Sequence, residues 1–303
     1  MKQLLPLLLI LGVLGGAKAQ SLTDGIFMDK QYLCVAAVYN HDAWDQYWEG
    51  ALLRKNGNIG TLTTQSTVLM ANYGLFNKVN LIAMLPVVWT NASGGTLASQ
   101  RGLQDLTLAV KYKAFETGLL GGKFSAQVVA GGSLPTTNYV ADYLPLSIGL
   151  HSKTLFGRGI LHYAGAKHLT FLLSGTFIGR SNVTIDRTSY YTTQQIYSTE
   201  VKMPNAAQFA FRGGYYSFRW GAELLAEHNA TLGGFDIRRQ DMPFLSNNMD
   251  ATRVGAQAFY RLPFLADLQV IGTVMQTVQG RNVGKSLTWS AGITKFFGFA
   301  KKQ

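Results

Sequence analysis

One cysteine, Cys34, stands in 303 residues, so the chain can form no internal disulfide. That cysteine and five histidines show no metal-ligand spacing, which leaves no basis for a zinc site. Proline is scarce at seven residues, and charged residues make up only 14% of the chain. Beyond residue 14 there is no long uninterrupted apolar run. Any membrane span must therefore be β, because only helices and closed barrels satisfy their backbone groups in lipid. What is abundant is glycine, tyrosine and phenylalanine, at 33, 14 and 17 residues. That composition suits many strands and girdles of interfacial aromatic rings.

The first 19 residues read as a cleaved export signal. Lys2 gives a charged start, residues 4–14 a short apolar segment, and Ala17-Lys18-Ala19 a small-residue cleavage site. Cys34 lies 15 residues past that site and reads as a buried apolar thiol rather than a lipid attachment point. Without Lys2 and Lys18, 25 basic residues face 16 acidic ones, a formal charge of +9. The basic residues are dispersed and the protein is read as exported, so nucleic acid is not the expected partner. A cationic lumen or contacts to anionic lipid head groups are the expected uses.

Alternation sets the fold class. Leu106, Leu108, Val110, Tyr112 and Ala114 share one parity, and Asp105, Thr107, Lys111 and Lys113 the other. Similar alternation recurs through residues 123–131, 145–156, 251–262 and 286–297. In all, twelve strands are predicted, at about 32–39, 61–73, 79–90, 102–115, 123–131, 145–156, 168–183, 206–217, one ending near 228, 251–262, 268–276 and 286–297. The connections mostly alternate long and short. Soluble sandwiches have no reason to sort them so, whereas outer-membrane barrels keep short turns on the periplasmic side and long loops outside. The reading is an all-β, transmembrane antiparallel barrel over residues 20–303, with both termini periplasmic and residues 20–30 a short leader. Strand three departs from alternation. Ile82, Met84, Pro86 and Val88 oppose Leu81, Ala83, Leu85 and Val87, so both faces are apolar, and Pro86 removes a ladder donor.

The stretch Y-G-L-F-N-K-V-N-L-I-A-M-L-P-V-V-W, residues 73–89, is followed by R-G-L-Q-D-L-T-L-A-V-K-Y, residues 101–112. A Tyr-Gly pair, a strand ending in Leu-Pro, then Gly-x-x-Asp-Leu-x-Leu-x-x-Lys-Tyr resembles the outer-membrane transporter family labelled as phenol-degradation meta-pathway proteins. The resemblance implies a β-barrel in the outer membrane of a Gram-negative bacterium and passage of aromatic or otherwise apolar small molecules. The specific motif covers only residues 73–112. A likeness to long-chain fatty-acid transporters is more distant, since their plug needs a longer leader than residues 20–30. The closing S-A-G-I-T-K-F-F-G-F approximates the aromatic C-terminal signal read by the barrel-assembly machinery, although Lys295 and the tail depart from it.

On polar parity, Asp105, Lys111, Lys113, Arg212, Glu223, Glu227, Arg253 and Arg261 are candidate lumen-lining residues. Charge pairing is expected among them whether or not they select solutes, because unpaired buried charge is costly. Ile82, Met84 and Pro86 are candidates for an apolar wall or a lateral opening. Asp42, Asp45 and Glu49 lack the glycine turn of a calcium loop and read as solvated loop residues. Trp44, Tyr47 and Trp48 read as an interfacial anchor or loop packing. A lipid hydrolase would need His and Ser two apart on one strand. The nearest match is His168-Leu169-Thr170, and no catalytic set or cofactor is expected. The alternatives to a channel are a non-transporting structural or surface-binding barrel and, more remotely, that hydrolase.

Overall fold

The computed structural model describes residues 22–239, 241–263, 265 and 268–299. The predicted export signal at residues 1–19 lies outside them. Twelve antiparallel strands form the barrel. They are β1 (Tyr32–Trp44), β2 (Leu62–Phe76), β3 (Val79–Ala92), β4 (Asp105–Leu119), β5 (Gly122–Pro135), β6 (Thr154–Ala164), β7 (Leu169–Arg180), β8 (Asn205–Tyr216), β9 (Trp220–Leu232), β10 (Asp250–Arg261), β11 (Leu268–Arg281) and β12 (Leu287–Gly298). Each pairs with its sequence neighbours, and β1 pairs with both β2 and β12, which closes the sheet. Closure leaves no free edge, the condition for a sheet in lipid.

The two faces sort as a membrane barrel requires. Leu108, Phe177, Phe209, Leu224, Val274 and Ile293 project outward and are exposed, while Lys111, Gln127, Arg158, Arg212 and Glu223 point inward and are buried. So continuous an exposed apolar band belongs against lipid rather than water. Tyr112, Trp220 and Tyr260 stand near the short-turn end, where aromatic rings fit the head-group boundary.

Two sequence expectations are corrected. The sixth strand runs over Thr154–Ala164, not residues 145–156. Residues 136–153 form a loop instead. Leu146 and Ile148 owe their apolar character to burial within it rather than to a strand face. Its backbone carbonyls are taken by side chains, Thr90 Oγ1 donating to Leu146 O at 2.6 Å and Gln104 Nε2 to Ile148 O at 2.6 Å. The leader is not a free periplasmic tail. Short as it is, residues 22–30 run up inside the barrel.

The long loops pack on one another. Val183, Ile185, Tyr190, Val201 and Met203 from the β7–β8 connection form one buried cluster with Ala141, Phe244 and Leu245 from two others. Trp48 is buried against the β11–β12 connection, its backbone N–H donating to Val283 O at 2.9 Å. The three acids stay apart, and Asp42 lies on β1 rather than in a loop. Asp42 accepts from Thr288 Oγ1 at 2.5 Å and Glu49 pairs with Arg54 at 2.7 Å. Among the described residues no group of three or more potential metal ligands gathers.

Candidate functional site

The lumen is organised around the chain that enters it. Lys111, wholly buried on β4, spends all three ammonium hydrogens on the leader. It donates to Asp24 O at 2.6 Å, Asp24 Oδ1 at 3.1 Å and Ile26 O at 3.0 Å. Gln127 of β5 donates to Gly25 O at 2.7 Å, and Arg158 of β6 donates to Leu22 O at 3.0 Å. Arg212 of β8 donates to Thr23 Oγ1 at 2.8 Å. Neighbouring strands thus offer a stair of donors to one extended segment. A barrel interior allows this because alternate residues of every strand point inward.

Apolar contacts complete the seat. Leu22 packs on a cluster of Ile82, Ala109, Val129, Ile160 and Leu172, and Met28 on Cys34 and Phe296. Phe27 lies 5.2 Å from both the Lys111 and Lys113 ammonium groups. Two glycines make room. A Cβ on Gly25 would overlap the His162 ring, and one on Gly74 would overlap Asp29 O. Gly74 O accepts from Gln31 N at 2.8 Å where the segment turns into β1.

The remaining polar candidates form a network beside the plug. Arg212 pairs with Glu223 at 3.1 Å, and Glu223 also accepts from Tyr216 at 2.9 Å and Gln257 at 3.0 Å. Arg253 pairs with Glu227 at 3.2 Å. Lys113 leaves this group and pairs with Glu116 at 2.7 Å, and the Arg261 guanidinium lies 5.5 Å from the Phe218 ring centre. Between plug and wall is a cavity of about 210 Å³. Ala36, Val38, Met70, Phe259 and Ile271 make its apolar side, and Asp24, Arg212, Tyr216 and Gln257 its polar side. The plug is fastened to the β3–β8 wall, and the open space lies chiefly along β1, β2 and β10–β12.

Pro86 stands at an irregularity. Val87 pairs with Leu103 and Met84 with Thr107, so Leu85 and Pro86 face three residues, Gln104, Asp105 and Leu106. Gln104 N donates to Pro86 O at 2.9 Å. The loop after β5 clasps this break. Thr136 and Thr137 donate to Gln104 O and Leu103 O at 2.5 and 2.7 Å, and Tyr139 donates to Asp105 Oδ1 at 2.6 Å. Burial and the Asp105 carboxylate hold the Tyr139 phenol well above its usual range, which keeps it a donor. Ile82 is buried under Leu22, while Met84 and Pro86 are partly buried. His168 occupies the β6–β7 turn with a left-handed backbone, and Thr170 faces the lumen against His162, so the two make no catalytic pair.

Sequence reasoning missed the plug and with it the roles of Gln127, Arg158 and His162. It singled out Gly74, Pro86, Asp105 and Lys111 within one motif. Gly74 and Lys111 seat the plug, and Pro86 and Asp105 meet the clasping loop.

These features define a class, the twelve-stranded outer-membrane barrel whose own N-terminal segment occupies the lumen. The chain belongs to the family described as "Putative MetA-pathway of phenol degradation", whose model matches residues 56–237. In structure it is similar to an outer membrane channel from Pseudomonas putida F1, with a TM-score of 0.73 and 16% identity over 91% of this chain and 100% of that one. More distant likenesses are the translocator domain of autotransporter NalP from Neisseria meningitidis and the CymD monoaromatic hydrocarbon channel. The first has a TM-score of 0.47 and 10% identity, covering 89% of this chain and 90% of that one. The second has a TM-score of 0.42 and 10% identity, with the same two coverages. Among curated proteins, none matches the sequence.

Proposed function

We propose that the barrel is a passive outer-membrane channel for small apolar or aromatic molecules, gated by residues 22–30. The cavity beside the plug carries this reading. It has one apolar wall and one hydrogen-bonding wall, and about 210 Å³ is the scale of a single small ring. Glu223, Arg212, Glu227 and Arg253 pair with one another, so that part of the lumen offers no strong field to a neutral solute. The irregularity at Pro86 supports a side exit toward lipid, with Ile82, Met84 and Pro86 as its inner lip. The family resemblance points to the same solute class. Uptake of a fluorescent aromatic solute into vesicles with a lipopolysaccharide outer leaflet tests the reading. Uptake should exceed that of empty vesicles and rise further when residues 22–30 are deleted.

A second reading, a non-transporting structural barrel, draws support from the density of plug contacts. It predicts the same background uptake for the full chain and for a chain with the cavity filled.

A further inference from the structure

The lipid-facing wall is not evenly covered. Outward positions on β2–β5 mostly carry large apolar side chains, such as Leu69, Leu81, Leu108 and Val128, all exposed. Three alanines interrupt them. Ala71 pairs with Ala83 across β2 and β3, and Ala130 stands on β5, two strands further on. They floor a groove of about 500 Å³ on the outside of the barrel, with Tyr73, Leu81 and Leu108 as its sides. The lining is almost wholly apolar, so neither charge nor hydrogen bonding selects what fills it. On a lipid-facing wall the matching chemistry is a hydrocarbon chain.

Depth decides the leaflet. Lys78 stands in the short β2–β3 turn, three residues before Leu81 and five before Ala83. At about 3.3 Å per residue these lie about 10 and 17 Å along the strand, and at a tilt of about 40° about 8 and 13 Å in depth. Half of an apolar band of roughly 25 Å is about 12 Å, so the groove occupies the periplasmic leaflet. Its mouth is cationic. Lys78 is exposed and forms no ion pair among the described residues. Lys113 N donates to Lys78 O at 2.9 Å, and Lys113 and Lys123 share one carboxylate, Glu116, at 2.7 and 3.9 Å. Asp29 and Lys30 of the leader offset each other at the same rim, which leaves an excess of two positive charges. Tyr112, exposed beside Val79, suits the head-group boundary.

We infer that this groove binds one anionic phospholipid of the periplasmic leaflet, an acyl chain lying over Ala71, Ala83 and Ala130 and the head-group phosphate at Lys78. A second copy of the barrel would bring like charge to the rim, whereas a phosphate brings the opposite sign. The site stands on the barrel and its two faces, and does not depend on the transport reading.

Native mass spectrometry of the full chain, released from detergent after incubation with dioleoylphosphatidylglycerol or dioleoylphosphatidylcholine, counts the lipids held. The parent should hold one lipid, phosphatidylglycerol in preference to phosphatidylcholine. Lys78→Gln should weaken phosphatidylglycerol about fivefold, the scale of one lysine at an anionic surface, and leave phosphatidylcholine unchanged. Lys167→Gln, on the β6–β7 turn, should change neither. Ala83→Phe fills the groove from the lipid side and should remove the held lipid of both kinds. Ala71→Leu fills it from β2 if the first variant fails to migrate as a folded barrel. Glycerol phosphate should not compete, which separates a lipid site from a bare phosphate site. The assignment is overturned by a folded parent that holds no lipid, by equal retention of the two head groups, or by an equal loss in Lys167→Gln. It is overturned as well by full retention in a folded, groove-filled variant, by competition from glycerol phosphate, or by dimers that groove filling dissociates.

Discussion

The Lys111 ammonium lies 3.1 Å from the Asp24 carboxylate and 2.6 Å from the same residue's carbonyl, so one residue of β4 holds both the side chain and the backbone of the plug. Removing one partner of a buried ion pair costs about 3–5 kcal/mol, because the other is left uncompensated. Lys111→Met should therefore release residues 22–30. A cysteine at position 26 should become reactive to a membrane-impermeant thiol reagent. Adding Asp24→Asn should soften the defect, since the stranded carboxylate is then gone.

Gly25 faces the His162 ring with no space for a side chain. Gly25→Ala should displace the plug, at a cost of about 1–3 kcal/mol if the segment stays in place. Raised ion conductance in planar bilayers is the readout. His162→Ala in the same chain should return conductance toward the parent value, which a general folding defect would not do.

The packed long loops have their own pH dependence. Asp236 accepts from Arg281 at 2.7 and 2.8 Å and from Asn282 at 2.8 Å, and the Arg281 hydrogen bonds hold its carboxyl below the ordinary carboxylate value. A depressed folded pKa means the contribution is complete above about pH 4, the unfolded value, and is lost as pH falls through the folded one. Amide protection in residues 233–249, taken relative to the intrinsic exchange rate at each pH, should fall below pH 4. Asp236→Asn should show the lower protection already at pH 6, with little further change on acidification.

The barrel was largely readable from sequence because period-two alternation is a local signal, and Leu108, Val110 and Tyr112 announce the lipid face unaided. Residues 145–156 misled for the same reason. Leu146, Ile148 and Leu150 alternate, but the first two are buried and the third half-buried by a folded loop, and alternation cannot say what does the burying. The plug was hidden more deeply. Lys111, Gln127 and Arg158 grip carbonyl oxygens of Leu22, Asp24, Gly25 and Ile26, and every residue has a carbonyl. Only Asp24 and the two glycines, Gly25 and Gly74, leave a mark in the sequence. The packing of the long loops was unreadable because Asp142, Arg187 and Phe244 lie far apart in the chain and meet only once the barrel brings their loops together.

The space beside the plug is the proposed path, and Ala36 faces it from β1. A phenylalanine there adds a ring to a cavity of about 210 Å³ from the barrel wall and leaves the Lys111 and Asp24 side chains themselves unaltered. The most direct test is solute uptake into lipopolysaccharide-containing vesicles by the parent chain, Ala36→Phe, and the chain lacking residues 22–30. The channel account predicts uptake above empty vesicles for the parent, a fall to background for Ala36→Phe in a barrel that still migrates as folded, and an increase on plug deletion. Background uptake by the parent, or full uptake by a folded Ala36→Phe barrel, would contradict it.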